Sequence, residues 1–212
     1  AMGFFESEAF DGWKWWEVIA IGAAALLILG GIIAVLIIAF VVVYPPKATA
    51  DDAVLQRFAL APGSPADNST ISYNLTATLS LRNPNMYRGI DYETMAVALS
   101  FNGTRFDESG KKVPAFLHKA RKTATFRVTM GGASRSIKLS AEGVREFAAE
   151  NVTGKFDVEL KLDTVLQYKG RKAKCPLVVI CPLKLQLVDP EVAATAYQKT
   201  KCTVLRAKKS GC

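Results

Sequence analysis

Two regimes of hydrophobic patterning divide this chain. From Val18 to Val43 nearly every residue is apolar, and no charged residue occurs between Glu17 and Lys47. As a helix, this run of 26 residues would measure about 39 Å, enough to cross a hydrocarbon core roughly 30 Å thick with some tilt. A cleavable signal peptide would have an apolar stretch of about 7–15 residues behind a basic start. Here the run is longer, its start is acidic, and it exits through Val43-Tyr44-Pro45-Pro46. The expectation is an uncleaved signal-anchor helix over 18–43, with Trp13, Trp15 and Trp16 before it and Tyr44 after it at the membrane–water interface. Gly22, Gly30 and Ala34 fall near one face, and Gly30-x-x-x-Ala34 is a small-x-x-x-small pair that permits a helix–helix contact.

Beyond this run the period changes to two. Pro45-Pro46 and the polar residues to Asp52 read as a short stiff stalk, 44–52. Ile71, Tyr73, Leu75, Ala77, Leu79 and Leu81 then alternate with polar residues, as a strand with one wet face requires. Met95, Val97, Leu99 and Phe101 repeat the pattern before Asn102-Gly103, a hairpin-turn dipeptide. Phe126, Val128 and Met130 predict a short strand ending at Gly131-Gly132. Phe156 to Leu162 alternate with charged residues, and a further strand includes Leu177 to Leu187. One helix interrupts the series, with Ser140 as its cap and Val144, Phe147 and Ala148 on its apolar face. About seven short strands and one short helix predict an all-β sandwich of immunoglobulin or fibronectin type over 53–212, carried on a single N-terminal transmembrane helix.

Charge and sequons orient this arrangement. Residues 1–17 carry Lys14 against Glu6, Glu8, Asp11 and Glu17, whereas the remainder has a net charge of +11. The positive-inside rule gives little help with so few bases beside the helix. Four sequons begin at Asn68, Asn74, Asn102 and Asn151, using four of the six asparagines. At ordinary Ser/Thr usage of roughly 15%, about one match would arise by chance. All four follow the apolar run, and Asn74 falls on a wet strand face. Cys175, Cys181, Cys202 and Cys212 are even in number, as a disulfide-permissive compartment allows. Residues 1–17 are thus expected in the cytosol and 53–212 outside the cell, on a plasma-membrane protein.

Catalytic signals are absent. The single histidine, His118, argues against histidine-based chemistry, and no phosphate loop, nucleophile elbow or metal-ligand spacing occurs. No enzyme, cofactor or metal is expected. Basic clusters at Lys119-Arg121-Lys122, at Lys169-Arg171-Lys172-Lys174 and at Lys199-Lys201 with Arg206-Lys208-Lys209 could meet acidic cell-wall polysaccharide or anionic lipid, or form a solvated face. An extracellular location excludes nucleic acid.

At Leu81-Arg82-Asn83-Pro84-Asn85, followed by Arg88-Gly89-Ile90-Asp91-Tyr92, the chain resembles the plant late-embryogenesis-abundant group 2 domain. More narrowly, it resembles the membrane-anchored non-race-specific-disease-resistance and harpin-induced-like branch, the hydroxyproline-rich glycoproteins. The resemblance runs from the apolar helix to Cys202. It implies a cytosolic segment, one membrane helix and an extracellular β-sandwich with roles in pathogen response, abiotic stress and wall–membrane contact, without catalysis. Physically, Pro84 lacks an N–H and restricts Asn83 to extended conformations, so the strand must end there. Asn85 can complete the turn by bonding its own backbone or turning left-handed.

The cysteines are paired by that resemblance. Cys181 and Cys202 look like the family's two late cysteines, which implies a Cys181–Cys202 bridge and leaves Cys175–Cys212 as a second. In an extended strand, Cys175 and Cys181 would lie roughly 20 Å apart, too far for a bridge. A looped Cys175–Cys181 pair is the competing arrangement. The function expected is a non-enzymatic interaction module of plant stress or defence at the cell surface. The alternatives are an accessory subunit docked through the transmembrane helix and a lipid-binding sandwich, and self-association or a membrane-protein partner would use Gly30 and Ala34.

Overall fold

A computed structural model describes residues 14–40, 42–61, 69–107, 111–188, 197–206 and 212. Two compact units divide the chain, Ala1–Val42 and Val43–Cys212. In the first, α1 (Trp15–Phe40) is long and apolar enough to cross a membrane. It begins three residues before the expected start and ends three before the expected end. Its large apolar side chains, Leu26, Leu27 and Ile28 among them, are exposed. Such an uninterrupted apolar surface is stable in lipid and costly in water. A Cβ added at Gly22 or Gly30 would meet nothing within 4 Å.

The second unit is a two-layer antiparallel sandwich. Its elements are β1 (Lys47–Leu60), β2 (Ser69–Arg82), β3 (Ile90–Tyr92), β4 (Met95–Phe101), β5 (Thr104–Asp107), β6 (Lys112–Val113) and β7 (Phe116–His118). After these come β8 (Thr123–Ile137), α2 (Ala141–Thr153), β9 (Lys155–Tyr168), β10 (Lys174–Gln186), β11 (Thr200–Lys201) and β12 (Thr203–Arg206). One sheet has the order β11-β1-β2-β8; the other runs β12-β10-β9-β3-β7, with β4 also on β9 and β5 and β6 on β4. The long β9 pairs with β10 along one side, and on the other with β3 and β4 in turn. The fold is the expected sandwich, with short accessory strands added to the long ones.

The inner faces follow from the alternation. Ile71, Tyr73, Leu75, Ala77, Leu79 and Leu81 of β2 are all buried, opposite alternate residues of β9 and β10 such as Leu160, Leu162, Leu177 and Val179. At one end Phe58 gathers four rings, those of Phe101, Phe106, Phe147 and Phe156, at centroid distances of 4.9–6.0 Å. Phe147 reaches this cluster from α2, whose N-cap Ser140 accepts from the Gly143 N–H at 3.1 Å and whose C-cap Gly154 is left-handed. Ala148 is exposed, so the helix buries a narrower face than its spacing implied. Asn102 and Gly103, with φ of 48° and 69°, form the two-residue β4–β5 turn that their dipeptide predicted.

Two local expectations are corrected. Residues 47–52 are the start of β1 and not stalk: Lys47 pairs with Arg82, and Ala48 and Ala50 are buried. Alanine carries so little hydrophobic weight that alternate alanines conceal a strand. Gly131-Gly132 does not end β8, which continues to Ile137. Gly132 pairs with Tyr73 beside a bulge, and a Cβ there would come within 3.2 Å of the Tyr73 ring and 2.8 Å of Arg135 Cγ.

Candidate functional site at the Asn-Pro-Asn corner

Arg82 ends β2, and the next three residues build a corner whose two asparagines are buried and whose proline is half-buried. Asn83 is 0% exposed and Asn85 3%. Buried amides are costly unless their donors and acceptors are paired, and here they are. Asn83 Nδ2 donates to the carbonyl of Arg88 at 2.9 Å, with longer contacts to those of Lys119 and His118. Asn83 Oδ1 accepts from both the N–H and the Nδ2 of Asn85, at 3.0 and 2.8 Å. The Asn83 N–H donates to the Lys122 carbonyl, and the Arg121 N–H to that of Asn85. Pro84 keeps the chain extended between the two amides.

Asn85 turns outward from this web to grip Tyr44. The Tyr44 N–H donates to Asn85 Oδ1 at 2.8 Å, while Asn85 Nδ2 donates to the Tyr44 carbonyl at 3.0 Å. Tyr168 Oη also donates to that carbonyl, at 3.1 Å. The left-handed option for Asn85 is not used, since Asn102 and Arg121 are the non-glycine residues with positive φ among those described. Its side chain serves as a substitute peptide group, pairing with a segment 41 residues away. Tyr92 is buried nearby and stacks on Phe116 at 5.0 Å. Burial, with a smaller contribution from Tyr168, pushes its phenol well above the ordinary range, which makes it a packing residue.

His118 closes the corner from below. Its Nε2 lies 2.9 Å from the Lys122 carbonyl, so the N–H is at Nε2 and Nδ1 is the bare nitrogen. Nδ1 is buried without a hydrogen-bond partner. Burial holds the imidazole below its usual value despite the opposing Lys122 contact.

The corner also assembles cations that lie far apart in sequence. Arg88 Nη1 donates to the Lys169 carbonyl at 2.8 Å, and the Lys169 N–H donates to the Gly89 carbonyl at 2.9 Å. The Lys119–Lys122 and Lys169–Lys172 clusters therefore flank one loop, Met86–Gly89. Asp91 answers one of these charges, lying 3.4 Å from Lys169 Nζ.

The remaining predicted residues lie elsewhere. Asn102, in the β4–β5 turn, is exposed and donates from Nδ2 to Glu146, and Asn151 is exposed in the last turn of α2. Asn74 is half-buried on β2 and donates to Gln56 Oε1 at 2.7 Å. Asn68 lies outside the described residues, as do residues 1–13 of the N-terminal segment. The hairpin and α2 occupy the end of the sandwich where β9 begins, and Tyr168 marks where it ends, about 45 Å away at roughly 3.3 Å per residue.

The four cysteines form two pairs. Cys181 is joined to Cys202, with Cα atoms 4.2 Å apart, and Cys175 to Cys212, at 5.6 Å. Cys175 and Cys181 both face inward from the extended β10, which keeps them apart. Cys202 lies where the chain leaves β11 in one sheet for β12 in the other, so its bridge to β10 pins the crossover. A groove of about 830 Å³ between β1 and β10 is lined by Phe156, Leu185 and Leu187 but also by Glu150, Lys155 and Lys184. Among the described residues, no group of three or more His, Cys, Asp or Glu side chains could hold a metal ion.

Sequence reasoning found Asn83 and Asn85 but missed Tyr44, Tyr168 and His118 as their partners. A tyrosine after an apolar helix reads as an interfacial anchor, and nothing local marks it as the partner of an amide 41 residues away. Known proteins complete the assignment. The profile described as late embryogenesis abundant protein matches residues 78–179, which include the Asn-Pro-Asn corner. NDR1/HIN1-like protein 3 of Arabidopsis thaliana is 26% identical over 157 residues, covering 72% of this chain. The match spans 64% of that relative's length. A sandwich with this corner, behind one apolar helix, is thus similar to late embryogenesis abundant proteins over residues 78–179 and to an NDR1/HIN1-like protein over most of its length.

Proposed function

We propose that this chain is a single-pass plasma-membrane glycoprotein of plant stress and defence, with its sandwich outside the cell as a non-enzymatic interaction module. The observation that carries this reading is the clamp on Tyr44. A domain that spends two buried asparagines on holding the residue just beyond an apolar helix is built to be displayed on an anchor. The exposed sequons at Asn102 and Asn151 and the two disulfides support an extracytosolic setting. Acidic wall polysaccharide and anionic lipid are the partner chemistries that its basic surface favours. Peptide-N-glycosidase treatment of the protein from plant membranes should increase its gel mobility, and external protease should remove the sandwich from intact protoplasts. An unshifted band together with full protease protection would reverse the topology.

A second reading, an accessory subunit docked through α1, is favoured by the open surface at Gly30, where a partner helix could approach closely. Cross-linking followed by co-purification from native membranes would identify such a complex.

A further inference from the structure

We propose that the Tyr44 end of the sandwich is a bilayer-docking face, on which a basic collar around the Met86–Gly89 loop binds anionic lipid headgroups while the loop enters the interface. The proposal rests on the reading of α1 as a membrane anchor and adds to it a second contact, made by the folded domain.

Three observations converge here. First, the collar is a product of folding. Lys119, Arg121 and Lys122 are held to the corner by their backbones, while Arg88 ties the loop to Lys169. Lys119, Arg121, Lys122, Lys169 and Lys172 are exposed, and the ion pair that Asp91 makes with Lys169 leaves the collar strongly positive. Second, large apolar side chains sit inside the collar. Met86 and Tyr87 are 51% and 58% exposed, and Leu117, 50% exposed, is next to Gly89, where an added Cβ would lie 3.4 Å from Leu117 Cδ1. An apolar and aromatic tip ringed by cations suits a membrane–water interface, where rings and methyl groups enter the headgroup layer and bases meet phosphate. Third, the tether is short. Tyr44 follows Phe40, the last residue of α1, by four residues, a contour length of at most about 14 Å. Because Asn85 holds Tyr44, the loop starts beside the tether. Effective concentration then lets a weak headgroup contact form that would fail between separate molecules.

A wall polysaccharide would exploit the same charge but has no use for Met86 and Leu117, whereas a bilayer accounts for both. Attraction to an anionic surface is worth a factor of roughly five per basic residue close to it and is screened within about a Debye length.

The test uses the full chain reconstituted in nanodiscs of phosphatidylcholine alone or with one third phosphatidylglycerol, read by hydrogen–deuterium exchange. Exchange of peptides covering Met86–Gly89, Lys119–Lys122 and Lys169–Lys172 should slow several-fold in the anionic discs, and the slowing should vanish at high salt. The variant K119Q/K122Q/K172Q removes three charges and leaves the backbone carbonyls that hold Asn83 and His118. It should unfold at the wild-type temperature and lose the slowing. Equal exchange in both bilayers would overturn the proposal. So would slowing by soluble polygalacturonate without any in anionic discs, which would assign the collar to polysaccharide. Flotation with neutral vesicles at high salt reads the anchor separately. A chain that fails to float there but binds anionic vesicles would overturn the anchor reading and leave the collar standing.

Discussion

Asn85 and Tyr44 exchange a reciprocal pair of hydrogen bonds, the side-chain amide of one replacing a strand partner for the backbone of the other. The same amide nitrogen also donates to Asn83 Oδ1, which in turn accepts from the Asn85 backbone. The motif therefore joins the segment that leads into β1, the end of β2 and the loop before β8. Deleting the Asn85 amide unties Tyr44 from the corner, leaving its carbonyl to Tyr168.

Replacing Asn85 with alanine leaves the Tyr44 N–H and carbonyl short of a partner and removes a donor from Asn83. The expected cost is about 1–3 kcal/mol of stability, from net hydrogen-bond values and the penalty for unsatisfied buried groups. Thermal unfolding of the N85A chain should show the loss, with new protease sensitivity between Tyr44 and Lys47. An unchanged unfolding temperature would mean that Tyr168, which also donates to the Tyr44 carbonyl, holds the segment alone.

The Cys181–Cys202 bridge closes a loop with a sequence separation of 21. A loop of about this size contributes on the order of 3 kcal/mol by constraining the unfolded chain. The double variant C181A/C202A should lose about that much in denaturant titration. Non-reducing peptide mapping of native material should recover Cys181 with Cys202 and Cys175 with Cys212. A linked Cys175–Cys181 peptide would contradict both pairs.

Burial of His118 predicts that the domain loses stability in acid. Its imidazole is held below the ordinary histidine value by burial, so the folded state takes up a proton less readily than the unfolded chain. Where the unfolded state binds more protons, stability rises with pH. The His118 contribution is present above about pH 6.5, the ordinary value, and is lost as pH falls through the lower folded value. His118→Gln, whose amide can still donate to the Lys122 carbonyl, should flatten stability between pH 7 and 5. An equal slope in both proteins would assign the acid sensitivity to carboxylates.

If α1 docks on a partner helix, as the second reading proposes, Gly30 and Ala34 are where the two approach. Converting both to leucine should lower cross-linking yield in membranes, while α1 still inserts. Undiminished cross-linking would make these positions ordinary lipid-facing residues.

The hydrophobic pattern by itself determined the helix, the sandwich and most of its strands. An uncharged apolar run, the alternation from Ile71 to Leu81 and the Asn102-Gly103 dipeptide are local signals, each acting through the backbone period or turn geometry that it favours. Where the signal was weak it misled: the alanines of β1 passed for a stalk, and Gly131-Gly132 for a strand end. Tertiary structure alone decided what joins what. The grip of Asn85 on Tyr44, the burial of His118 and the gathering of two basic clusters around Met86–Gly89 depend on which strand ends share one edge of the sandwich. Several amphipathic strands of similar length admit many pairing orders that satisfy the same alternation. Only complementary packing of the two sheets selects one, and the corner exists as a consequence of that choice.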